Sequence, residues 1–127
     1  MKVLLIDDEP DIRKVAALSL TRVGMFDTLV ASSAPQGLEM LKEQLPDVVL
    51  LDMMMPGMDG LTALEELRKI PGAQTIPVVF MTAKLQAAEV QSYRERGAAG
   101  VIYKPFDPMT LPAELKKILA ETDTPAD

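Results

Sequence analysis

The chain has 127 residues, 48% of them hydrophobic, with neither cysteine nor histidine and a formal charge of −6 from 19 acidic against 13 basic residues. That suits one hydrophobic core rather than two, and it excludes disulfides, thiolate or imidazole metal ligands, Ser-His and Cys-His nucleophile pairs and a phosphohistidine on this chain. An acidic field without a Lys/Arg run argues against nucleic acid as a partner; with no apolar stretch of roughly 18–20 residues and an opening, MKVLLIDDEP, that meets acid too early for a signal peptide, a cytoplasmic protein with no membrane partner is expected.

In chain order, apolar β-branched runs alternate with helical patterns. KVLLI (2–6) reads as the first strand. Ile12, Val15, Ala16, Ser19, Leu20 and Val23 then recur at helical spacing, which predicts a helix opening near Pro10 and closing at Gly24 with that stripe inward. After the strand DTLVA (27–31), a second helix starts near Ser33, with Gln36 placed for a capping box and Leu38, Leu41 and Leu45 inward, and must end before Pro46. The strand DVVLL (47–51) leads to a helix that begins near Gly60, turns Leu61, Leu64 and Leu67 to the core and stops at Pro71-Gly72. IPVVFM (76–81) precedes a helix over 86–96 that is thin in apolar residues, with Ala87, Val90 and Tyr93 as its inner face. Finally GVIY (100–103) is followed by a helix capped by Thr110, with Pro112 in its first turn and Leu111, Leu115, Ile118 and Leu119 as its stripe. The expected organisation is one domain over 1–121 and a disordered tail over 122–127.

Strands apolar on both faces belong in a parallel sheet covered by helices, so the fold class is α/β, a five-stranded parallel sheet with five helices. Ligands of such folds bind beyond the carboxyl ends of the strands. Those positions hold Asp7, Asp8 and Glu9 after the first strand, Asp52 after the third, Thr82 after the fourth and Lys104 after the fifth. If the first and third strands are neighbours, their carboxylates crowd and need a cation. Mg²⁺ is the natural one, since it takes one or two carboxylates and keeps room for water and phosphate. Lys104 supplies a fixed positive charge and Thr82 a hydroxyl for phosphoryl oxygens, while a carboxylate is itself a competent phosphoryl acceptor. The turn MMMPGMDG can bring a main-chain carbonyl near Met54 to the metal. Simpler roles compete: Asp8 or Glu9 ahead of Pro10 as a helix cap, and Met53, Met54 and Met55 as core filler.

Together these features resemble the receiver domains of two-component response regulators, of the stand-alone type found in chemotaxis. The carrying motifs are LLIDDEP, VVLLDMMMPGMDG, VVFMTAK and GAAGVIYKPF, in order, within a match over nearly the whole chain. The resemblance implies a doubly wound, flavodoxin-like receiver fold with strand order 2-1-3-4-5. It also implies Asp52 as phosphoacceptor, Asp8, Asp52 and the Met54 carbonyl as Mg²⁺ ligands, Asp7 acting through water, Lys104 and Thr82 on the phosphoryl group, and a cis bond from Lys104 to Pro105. Met54 and Lys84 would flank the phosphoryl group, and Met54, with no group to orient water, would slow its hydrolysis.

Two departures stand out. The aromatic that receivers carry three residues before the active-site Lys is Val101 here; Tyr103, on the same strand face, is either a partial stand-in for it or plain edge-strand packing. No effector domain is expected beyond the last helix, and the signal is expected to pass to another protein. The resulting expectation is a response regulator taking a phosphoryl group from a sensor histidine kinase or histidine phosphotransfer protein and acting by protein contact, a catalyst only of its own phosphorylation and dephosphorylation. Its rivals are a binding module of the same fold that never needs phosphate, and a Mg²⁺-dependent phosphohydrolase with an Asp nucleophile.

Overall fold

Five parallel strands, β1 (Lys2–Ile6), β2 (Asp27–Ala31), β3 (Val48–Asp52), β4 (Val78–Thr82) and β5 (Gly100–Tyr103), form one sheet in the order β2-β1-β3-β4-β5 in a computed structural model that describes residues 1–83 and 86–122. Five helices connect and follow them: α1 (Pro10–Leu18), α2 (Ala34–Glu43), α3 (Gly60–Arg68), α4 (Ala87–Glu95) and α5 (Leu111–Thr122). Among the described residues no helix is long and apolar enough to cross a membrane. Residues 123–127, most of the segment read as a tail, and Lys84 lie outside the described residues.

The sheet separates two apolar clusters because successive side chains of a strand point to opposite faces. Leu4, Ile6, Val49, Leu51, Val78 and Phe80 join α2 and α3 on one side. Val3, Leu5, Val48, Leu50, Val79, Met81 and Ile102 meet Ala16, Leu20, Leu111 and Leu115 on the other. Every residue of β3 and β4 is buried, Asp52 and Thr82 included, which is why these runs carry no polar alternation.

At several points the chain departs from its local pattern. The first helical stripe does not run unbroken to Gly24: α1 ends at Leu18 and a π-helical turn, Ser19–Val23, follows, closed by the bond from Gly24 N to Ser19 O, five residues back (3.0 Å). Ala16, Ser19 and Leu20 are buried while Val15, on α1, is exposed, and so is Val23, which the wider turn carries off the stripe. Gly24 has an ordinary negative φ of −80°; it is small because a Cβ there would lie 2.8 Å from both Leu20 O and Pro112 Cβ. Ser33 caps α2 by accepting from Gln36 N (3.2 Å), but the Gln36 side chain returns to Ser32, whose N and Oγ donate to Oε1 at 2.7 and 2.9 Å. Because α2 stops at Glu43, Leu45 lies beyond it and is exposed. Ala87 of α4 is also exposed, leaving Val90 and Tyr93 half-buried. The Thr110 hydroxyl turns back to Asp107 O (3.4 Å).

Candidate functional site

The strand order sets β1 beside β3 and β4 between β3 and β5, so the last residues of these strands open onto one edge of the sheet. Asp7, fully buried just past β1, accepts from Glu9 N through Oδ1 (2.9 Å), and its own N–H donates to Ala31 O (3.2 Å). Asp52 is the final residue of β3 and only 2% exposed. Its Oδ1 accepts from Met54 N (3.2 Å), which folds the following turn over the carboxylate. That turn returns tightly, with Gly60 N donating to Met53 O at 2.8 Å. A side chain at residue 60 has no room, since a Cβ would sit 3.0 Å from Met53 Cα and from Phe80 Cε1.

Lys104 reaches into this group from the end of β5. Its Nζ stands 3.2 Å from Asp52 Oδ1, 3.3 Å from Asp7 Oδ2 and 3.9 Å from Glu9 Oε1. The peptide between Lys104 and Pro105 is cis. Lys104 N donates to Thr82 O (2.8 Å), and Thr82, buried at the end of β4, is paired in register with Tyr103 while Asp52 is paired with Met81. Thus Asp7, Asp8, Asp52, Thr82 and Lys104 share one edge. Met54 joins them through its main chain, its side chain being 75% exposed.

Charge is unbalanced here. Asp7, Asp8, Glu9 and Asp52 each offer a carboxylate oxygen within 4.8 Å of the others, against the single ammonium of Lys104 among the described residues. Burial, and then the charge of Asp7, push the Asp52 carboxyl up to about 6, although Lys104 and the Met54 N–H pull the other way. For Lys104, burial opposes the charged form, but Asp7 and Asp52 outweigh it and hold the ammonium above its ordinary pKa. Asp8 Oδ1 and Asp52 Oδ2 are buried with no hydrogen-bond partner. Buried carboxylate oxygens without donors are costly, and a hard divalent cation is the group that satisfies several at once. The residues present therefore fit a metal.

Two further side chains take part. Glu9 belongs to the cluster, and it occupies the N-cap position of α1 without making a side-chain cap bond. Its signal was the unbroken Asp7-Asp8-Glu9 run. Arg13, one turn further, donates to Asp7 O (2.9 Å), a contact with no mark in the local pattern. The proposed switch positions lie apart from the carboxylates: Val101 is half-buried opposite Phe80, and Tyr103 is 41% exposed at the sheet's edge.

Comparison with known proteins agrees with this arrangement. The family model described as "Response regulator receiver domain" matches residues 3–116. A probable transcriptional regulator, ycf27, of Guillardia theta is 36% identical over 125 residues, 98% of this chain and 48% of that protein. The chain spans about half the length of the curated relatives it matches. Among solved structures, the chemotaxis protein CheY4 of Vibrio cholerae superposes with a TM-score of 0.85 at 27% identity, covering 92% of this chain and 97% of that one. The receiver domain of NtrX from Brucella abortus gives 0.80 at 32% identity, covering 93% and 98%. A five-stranded 2-1-3-4-5 sheet with an acidic cluster at its carboxyl edge, matched over nearly its full length, makes this chain a member of the response regulator receiver family, the phospho-accepting domains of two-component systems.

Proposed function

We propose that Asp52 is the phosphoacceptor and that the donor is the phosphohistidine of a sensor histidine kinase or a histidine phosphotransfer protein. The observation that carries this reading is the division of labour within one carboxylate. Asp52 Oδ1 is held by Lys104 and the Met54 N–H, while Oδ2 is buried with no hydrogen-bond partner, so the carboxylate has one fixed oxygen and one open to an incoming cation or phosphoryl group. In the transfer a carboxylate oxygen of Asp52 bonds to phosphorus, the phosphorus–nitrogen bond of the donor breaks, and its electron pair stays on the imidazole. Lys104 faces the phosphoryl oxygens as charge builds on them, and the Thr82 hydroxyl donates to another. Asp8, Asp52 and the Met54 carbonyl would hold Mg²⁺, with Asp7 reaching it through water. When bound, that ion supplies positive charge to both the carboxylates and the phosphoryl oxygens. Output passes by contact with another protein or domain, the altered surface being α4, β5 and α5.

The test is mass spectrometry after incubation with acetyl phosphate or a phosphorylated kinase in the presence of Mg²⁺. A gain of one phosphoryl group per chain is expected, lost in Asp52→Asn. Full labelling of that variant would move the acceptor elsewhere, and many product equivalents per chain would indicate a hydrolase. Calorimetric titration of Mg²⁺ should show most binding lost in Asp8→Ala.

A further inference from the structure

The residue that packs against Phe80 across the sheet's surface comes from α4. The Tyr93 ring meets the Phe80 ring edge to face, with centroids 5.8 Å apart and planes at 76°. Phe80 is fully buried, and its ring also lies against the turn after Asp52: Phe80 Cε1 and Met53 Cα both stand where a Cβ on Gly60 would have to go. Phe80 further shares a strand face with Thr82, two residues on. One rigid ring thus touches the acceptor's own loop on one side and α4 on the other. On β5 the alternatives are weak, because Val101 opposite Phe80 is short and Tyr103, 41% exposed, lies at the sheet's edge.

Helix α4 is suited to respond. It has no fully buried residue, and among the described residues its polar ties to the rest of the chain lie at or just beyond its C-terminal end: Arg68 Nη2 donating to Gly97 O (3.3 Å) and the Arg96–Glu65 ion pair (3.1 Å). We propose that the Phe80–Tyr93 contact is the element through which the state of Asp52 reaches α4 in this chain, with Tyr93 as the positioning residue in place of an aromatic on β5. The inference rests on Asp52 being the acceptor. A covalent group on Asp52 shifts the Met53–Gly60 turn and Thr82, Phe80 follows because its packing leaves no slack, and Tyr93 carries the shift to α4.

The chain has no tryptophan and two tyrosines, so Tyr103→Phe leaves Tyr93 as the only phenol. That variant would be labelled with acetyl phosphate and Mg²⁺, its labelled fraction read by mass, its tyrosine emission recorded, and amide exchange followed over residues 87–97. Emission should change in proportion to labelling, together with the exchange of α4. At equal labelling, Tyr93→Leu should shrink the exchange response about threefold or more, and Tyr93→Phe, which keeps the ring, should restore it. Unchanged Tyr93 emission on labelled protein, a full α4 response in Tyr93→Leu, or loss of the response in Tyr103→Phe would each overturn the inference. Absence of labelling in the unaltered chain would instead defeat the assignment of Asp52 itself.

Discussion

Helices α3 and α4 are equally long, each of nine residues, and both pack on the core that contains Phe80, yet they are attached in opposite ways. Helix α3 buries Gly60, Ala63, Leu64 and Leu67, and Asp59 caps it by accepting from Thr62 N at 2.8 Å. Helix α4 has no fully buried residue, only the half-buried Val90 and Tyr93, and Gln86 at its N-cap makes no side-chain cap bond. Dense apolar contact fixes one arrangement, whereas a helix held by a ring edge and a few polar bonds can shift at small cost. The helix that follows the Asp52 turn is therefore the anchored one. The helix beyond β4 is free to report.

The largest expected effect tests that contrast directly. Leu64→Ala should destabilise the protein by about 2–5 kcal/mol in urea unfolding, while Val90→Ala on α4 should cost under about 1 kcal/mol; similar losses would erase the distinction. Next comes Arg68, which ties the end of α3 to Ala73 O and Ile76 O at 2.9 and 2.7 Å and to Gly97 O beyond α4. Arg68→Met should cost about 2 kcal/mol and speed amide exchange in α4 more than in α3. Equal acceleration in the two helices would show that α4 is not hinged there.

The acidic edge should behave in the opposite sense to the anchored core. The Asp52 pKa is raised from 3.8 to about 6, so its contribution to stability is fully present below the lower value and lost as pH rises through the upper one. In metal-free protein at pH 7, Asp52→Asn should therefore be the more stable form by about 1–2 kcal/mol, a figure reduced because Lys104 loses one partner. The advantage should fade as pH is lowered toward 3.8, as urea midpoints with a chelator present would reveal. A constant difference across that range would mean Asp52 is not the group responsible. Smallest of all is Glu65→Gln, which breaks an exposed pair with Arg96 and should change stability by less than about 0.5 kcal/mol. A larger loss would make that pair a true anchor for α4.

The candidate site was unusually legible because each reactive side chain comes directly after an apolar β-branched run, where local pattern marks the strand's end to within a residue. Asp52 and Thr82 proved to be the last residues of their strands rather than the first beyond them. Less legible was whatever depended on a partner far along the chain. The Val23 position fits a helical stripe and still faces outward, since the π turn after Leu18 is settled by packing against α5 and by the bond from the Ser19 hydroxyl to Pro108 O. Tyr93 could be placed on the inner side of α4, but not against Phe80.

From the amino-acid order alone came the alternation of strands and helices, the assignment to an α/β fold, and the acids, hydroxyl and lysine at the strand ends. These follow from local periodicity and from the cost of exposing apolar runs. Strand neighbours are another matter, because each run is apolar on both faces and offers the same backbone edges to any other. Only the assembled sheet put Asp7 and Asp52 on either side of one ammonium, left buried oxygens of Asp8 and Asp52 without hydrogen-bond partners, and set the Tyr93 ring of α4 against Phe80. Such juxtapositions are made by contacts between distant segments, whose free energies are comparable to one another and are decided by how the whole core closes.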